Sequence, residues 1–312
     1  MKHNFGSNLW CYLIFLTLIV GIYHPVYRFD FLKGWDDQLF VTNFYTEDGF
    51  QASNLLAIFT EFYRGQYAPL NQLHYTALYH IFGYHQGAFH IASLLIHFLN
   101  TVLVYRFSMV VWRRLGLQAI SKLSIQRLGF LTAVLFAVFP VNVEPVAWVS
   151  ASKVLIYAFF YLLSLLLYSH YLDNGKSVYY YTVLVAYLLS FFGKEQAVSL
   201  PLALFLLDWL WNRNLWEKNV WLEKIPVFIL SVLFGLITIE SQGFQDTVRS
   251  FILGISACLW GSIPWSNISP NAFSPLTFPT SIRFLFKMGI LFPGGCGYRC
   301  YLFHLSHGTS FC

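Results

Sequence analysis

The chain has 312 residues, of which 57% are hydrophobic, 20% aromatic and only 11% charged. Soluble domains carry about 25% charged residues, so this balance excludes an ordinary soluble domain and points to a polytopic membrane protein. A formal charge of +5 does not imply nucleic acid, because the lysines and arginines punctuate apolar runs instead of gathering on one solvated surface.

The amino terminus opens with Lys2 and His3 and continues into an apolar run at 9–23. No small-residue cleavage site follows, and the bulky segment Tyr23-His24-Pro25-Val26-Tyr27 has the character of an interfacial belt, so an uncleaved first span is expected. A bilayer core of about 30 Å needs about 20 mostly apolar residues per helix. Seven stretches approach this: 9–23, 88–105, 128–139, 154–168, 179–192, 197–207 and 225–239, with an eighth start at 251–263. The fold class expected is therefore all-α, a transmembrane bundle of seven to eight spans.

Between the first two spans lies a long polar segment, 28–87. It contains Gly34-Trp35-Asp36-Asp37-Gln38, and its portions 55–63 and 70–82 are amphipathic enough to form short helices in the interface. Threading the chain with a cytoplasmic amino terminus puts ten basic residues on inner segments and six on outer ones up to residue 249, in agreement with the positive-inside rule. Ten acids, Asp36, Asp37, Glu144 and Glu195 among them, fall outside against four inside, which suggests a working surface on the outer face. An adjacent carboxylate pair at a bilayer surface is the best candidate in the chain for chemistry that needs a proton acceptor or a cation.

None of the seven runs contains Asp, Glu, Lys or Arg, which weakens an ion-coupled transporter. The polar exception is the second span. There His90, His97 and Asn100 share a stripe with Ser93 and are expected to face the bundle as neutral groups bonded to neighbouring helices. Two domains are expected: a body, 1–249, and an irregular tail, 250–312. In the tail, 24 of the last 59 residues are Gly, Pro, Ser or Cys, and it reads as truncated or aberrant relative to the body. Cys296 and Cys300 look like half a zinc site without its second half.

Three further motifs fall on the same side as the acid pair. They are Tyr67-Ala68-Pro69-Leu70 leading to Phe89-His90 and His97-Phe98-Leu99-Asn100; Phe136-Ala137-Val138-Phe139-Pro140 running through Glu144 to Trp148; and Gly193-Lys194-Glu195-Gln196. With these motifs the chain resembles the polytopic membrane glycosyltransferases of the GT-C class. It is most similar in look to the protein O-mannosyltransferase-like proteins with transmembrane and tetratricopeptide-repeat parts, and to their bacterial relatives. The likeness covers residues 35–208. It departs from the family pattern at Ala68, where relatives carry Arg, and at Ser152-Lys153-Val154, where an Arg-Lys-Asp-like triplet is common.

The resemblance implies transfer of a sugar from a polyprenyl-phosphate donor to an acceptor hydroxyl, on a protein or a glycan, at the outer face of a membrane. That membrane would be the bacterial inner membrane, or the endoplasmic reticulum membrane in a eukaryote. Asp36 or Asp37 would be the base, and Lys153, Lys194, Glu144, Glu195 and His90 would bind the donor phosphate or substrate. A divalent ion, if one takes part, would sit on Asp36 and Asp37. Each motif also has a plain structural role: the acid pair as a solvated turn, Glu144 as a helix cap or a partner of Lys153, Lys194 and Glu195 as charges at a helix end, and Trp35, Trp148 and Trp209 as interface anchors. The competing functions are a transporter or channel subunit that uses His90 or His97, and a catalytically inactive remnant of a longer protein.

Overall fold

The computed structural model describes residues 5–115 and 122–243, and every regular element among them is helical. The described residues belong almost entirely to one compact unit, Met1–Gln242. The eighth apolar run, the 249/250 boundary, the tail and its cysteines lie outside the described residues.

Helix α1 (Phe5–Tyr23) continues into a 3-10 turn at His24–Arg28, where Pro25 supplies a fixed φ and no donor. The polar segment that follows holds a π-helical turn, Asp37–Val41, then α2 (Phe44–Glu47), α3 (Ala52–Thr60) and α4 (Pro69–Phe82). Short helices are expected at 55–63 and 70–82; α4 covers the second, whereas α3 starts three residues before the first and ends at Thr60. Asn43 caps α2 by accepting the Thr46 amide at 3.1 Å, and Pro69 opens α4 at a position where a missing N–H costs nothing. The Tyr45 hydroxyl ties the segment together by donating to Glu61 at 2.6 Å. Burial and that carboxylate push its pKa up, so it remains a donor.

The bundle consists of α5 (Gln86–Arg114), α6 (Lys122–Val138), the short α7 (Val143–Ala147), α8 (Ser152–Asn174), α9 (Ser177–Gly193), α10 (Leu200–Leu210) and α11 (Lys218–Ser241). Four segments, Leu9–Arg28, Gln86–Arg114, Val149–Asn174 and Lys218–Ser241, are long and apolar enough to cross a membrane, compatible with an integral membrane protein. The remaining apolar runs take other forms. The run at 128–139 is half of a pair, Ile125–Val138 and Pro140–Ala147, bent by 48°. Pro140 cannot donate to the Phe136 carbonyl, and the Asn142 side chain does so instead at 2.7 Å. Helix α9 has 17 residues, or about 26 Å, and α10 has 11, or about 17 Å. Hydropathy registers the composition of these runs but not the turn Glu195–Ser199 that shortens the second of them.

The stripe on α5 faces inward, with His90, Ser93, His97 and Asn100 at most 2% exposed. Each long polar side chain reaches a carbonyl on another element: His90 Nε2 donates to Phe29 at 3.2 Å, His97 Nε2 to Ala137 at 3.1 Å and Asn100 Nδ2 to Leu155 at 3.0 Å. Ala137 stands at the end of α6, where carbonyls lack an intrahelical partner, so His97 satisfies what the break at Pro140 leaves open. Apolar packing joins α8, α9, α10 and α11 around Tyr168, Tyr187, Phe191, Leu204 and Val227. Opposite faces, such as Ile229, Val232, Leu233 and Leu236 on α11, are exposed, as lipid contact requires.

Candidate functional site

The two ends of the bundle differ in chemistry. At one end the Arg114 guanidinium donates to the Trp211 carbonyl at 3.1 Å, and the Trp211 indole donates to Asp173 at 2.8 Å, which gathers the ends of α5, α8 and α10. Asp208 and Lys224 meet there at 2.5 Å with neither side chain exposed, and Arg213 bridges Asp208 and Glu223 at 2.9 and 2.7 Å. Tyr168 donates to Asp208 and accepts from Lys224. Asp208 and Lys224 are two of the charges that the threading puts on inner segments, and in the structure both are buried and pair with one another. The available signal was an acid closing one apolar run and a base opening the next across a short polar loop.

The sequence-predicted site residues collect at the other end, where α5 and α8 begin and α9 finishes. The turn Val149–Ala151 is held from two directions. Asp37, 2% exposed, accepts the Leu32 amide on Oδ2 and the Ser150 amide on Oδ1, each at 2.9 Å. From the opposite side the Tyr75 hydroxyl on α4 donates to the Val149 carbonyl at 2.9 Å and lies 3.0 Å from Ser152 Oγ, which reaches Asn71 at 3.2 Å. The first residues of α8 are thereby fixed, and with them Lys153.

Lys153 Nζ donates to Gln66 Oε1 at 2.6 Å and stands 5.5 Å from the centre of the Phe40 ring. Lys194, Glu195 and Asp36 lie within its electrostatic reach. Lys194 owes its place to Gly193. A Cβ on that residue would fall 2.9 Å from the Tyr157 nitrogen and 3.1 Å from its Cα, so only glycine lets α9 end this close to α8. Among the described residues Asp36, Lys153, Lys194 and Glu195 make no direct ion pair; the three such pairs all involve Arg213 or Lys224. The pairing of Glu144 with Lys153, weighed as its structural role, is therefore not formed.

A second grouping surrounds Asp37. It lines an open cavity of about 610 Å3 together with Arg28, Asp30, Lys33, His90, Glu144 and Trp148, among others. Glu144 is exposed in the first turn of α7. Trp148, expected to be an interface anchor, lines this cavity, and its indole Nε1 is buried without a hydrogen-bond partner. The cavity's contribution from Arg28, Asp30 and Lys33 was not legible in the sequence, where these residues are merely three charges near a turn.

The acid pair thus divides. Asp37 holds backbone, while Asp36 is half-buried and within electrostatic reach of Lys153. Among the described residues no three His, Cys, Asp or Glu side chains converge closely enough to hold a metal ion, and both oxygens of Asp37 already accept amides.

No family model, curated protein or solved structure matches this chain.

Proposed function

We propose that the chain is a membrane glycosyltransferase that moves a sugar from a polyprenyl-phosphate donor to an acceptor hydroxyl at the end of the bundle where α8 begins. The observation that supports it best is the group around Lys153: two half-buried lysines, Lys153 and Lys194, with the carboxylates of Glu195 and Asp36 in electrostatic reach of Lys153 and no direct ion pair among them. The resemblance to GT-C enzymes across residues 35–208 agrees with this reading. The seven-span arrangement belongs to the same proposal: the four long helices, the bent pair α6 and α7, and α9 and α10 as shorter crossings, with the amino terminus in the cytoplasm.

In this mechanism Asp36 takes the proton of the acceptor hydroxyl as its oxygen bonds to the anomeric carbon. The bond from that carbon to the phosphate oxygen breaks, and the phosphate departs with the electron pair. Lys153 and Lys194 hold the charge that develops on the leaving group. The four side chains are formally balanced beforehand, with two acids and two bases. Proton transfer to Asp36 leaves one net positive charge at the moment the lipid phosphate leaves. Asp37 takes no proton; it fixes the turn from which Lys153 projects.

The test is to supply membranes carrying the protein with a labelled polyprenyl-phosphate sugar and follow label into protein and glycan. Transfer above that of membranes lacking the protein supports the reading, and its absence with every labelled donor removes it. The break at Pro140 favours a second reading, a transporter, since broken helices line substrate paths. Solute flux into reconstituted vesicles, lost on replacing His97, would establish that reading instead.

A further inference from the structure

Between α3 and α4 the chain makes a tight hairpin turn. The Tyr63 amide donates to the Gln66 carbonyl at 3.1 Å, and the Gln66 amide donates to the Tyr63 carbonyl at 3.0 Å. The two residues between them, Arg64 and Gly65, have φ of +48° and +73°, and two-residue hairpin loops favour such positive values. Glycine adopts that conformation freely, but arginine does so at a cost, and such backbone persists only where its surroundings fix it. The Tyr63 ring supplies the fixing. It meets Phe40, Phe44 and Tyr45 edge-on, with ring centres 6.1, 5.9 and 5.3 Å away, and the Arg64 guanidinium stands 5.6 Å from its own centre.

The turn presents the Gln66 side chain to α8. Gln66 Oε1 accepts from Lys153 Nζ at 2.6 Å, and because an ammonium can only donate, the oxygen of the amide is the atom that faces it. Among the described residues this is the one hydrogen bond that Nζ makes, which leaves two of its three N–H groups for another acceptor. The Phe40 ring, 5.5 Å from Nζ, completes the seat and is the same ring that meets Tyr63. A free lysine stem loses its rotamers when it binds a ligand, whereas a seated one has lost them already. The chemical character of the seat matters as much. A carboxylate in place of the amide would hold the ammonium at least as firmly but cancel its charge; the amide holds it and leaves the charge available.

We infer that Gln66 is a positioning residue for Lys153: a neutral acceptor, presented by the strained Tyr63–Gln66 turn, that fixes the ammonium without neutralising it. The inference rests on the transferase reading for the reaction in which Lys153 takes part, while the seating is measurable without any transfer.

The experiment titrates farnesyl phosphate into nanodiscs with and without the full chain, and measures unfolding midpoints alongside. The wild-type chain is expected to bind saturably. Gln66→Leu removes the acceptor, whereas Gln66→Glu keeps an acceptor and adds a charge. Each is expected to weaken binding about ten-fold, although Gln66→Glu unfolds no earlier than wild type. In a Lys153→Met background neither change is expected to weaken binding further. A hydrogen bond that serves only the fold gives the other pattern, with Gln66→Glu binding as wild type does. That result, the absence of saturable binding by the wild-type chain, unchanged binding in both variants, or an undiminished effect in the Lys153→Met background overturns the inference. Sugar transfer that is lost in Lys153→Met but ignores both Gln66 variants would refute the positioning role and leave the enzyme standing. Binding that follows the expected pattern, with no transfer from any donor, would do the reverse.

Discussion

Asp37 and Ser150 stand 113 positions apart and share one hydrogen bond, the Ser150 amide donating to Asp37 Oδ1 at 2.9 Å. With the Leu32 amide on Oδ2, this leaves Asp37 a structural clasp and Asp36 the acid free to act. Asp37→Asn turns one acceptor into a donor that faces a buried amide. It is expected to cost about 1–3 kcal/mol of stability, measured as a lowered unfolding midpoint in detergent, while Asp36→Asn stays within about 0.5 kcal/mol of wild type.

Lys153 and Lys194 share the departing phosphate in this account. Lys153→Met and Lys194→Met are each expected to raise KM for the lipid donor about ten-fold. Donor titrations in vesicles check this, and an unaltered KM in both would dissociate the lysines from the phosphate.

Gly193 is the contact that brings α9 to α8. In Gly193→Ala the new methyl meets Tyr157 backbone at 2.9 Å, atoms that cannot rotate away. A loss of about 1–3 kcal/mol is expected, together with a raised donor KM because Lys194 is the next residue.

Asp208 and Lys224 form the buried ion pair at the far end. Removing one partner, as in Asp208→Leu or Lys224→Met, is expected to cost about 3–5 kcal/mol, and combining the two to restore most of it. Unfolding measured for both single variants and the double checks the pairing; additive losses would contradict it.

His74 lies on α4, where burial lowers its pKa from 6.5 to about 4. The unfolded chain therefore binds a proton between those values that the folded chain does not, so stability is complete above pH 6.5 and falls as pH drops toward 4, by about 1.4 kcal/mol for each unit of the difference. Unfolding midpoints measured from pH 7 to 4 should show this slope, and His74→Gln should flatten it.

These features were unequally legible in the sequence. The stripe of His90, His97 and Asn100 could be read because helical period alone decides which residues share a face. Helix α4 could be read because its signals, Pro69 at the start and Gly83 at the end, are local. The division of labour between Asp36 and Asp37 could not, since it depends on an amide more than a hundred residues away. Nor could the burial of Asp208 with Lys224, because composition cannot distinguish a charge that reaches water from one that reaches its opposite. Trp148 looks like an interface anchor in sequence and lines a cavity in the fold.

The central claim is that Asp36, and not Asp37, removes the proton of the acceptor. The most direct test measures initial rates of sugar transfer from a polyprenyl-phosphate donor for Asp36→Asn and Asp37→Asn at matched amounts of folded protein. The account predicts a loss of about 10²- to 10⁴-fold in kcat for Asp36→Asn and a small one for Asp37→Asn. Full transfer by Asp36→Asn would contradict it.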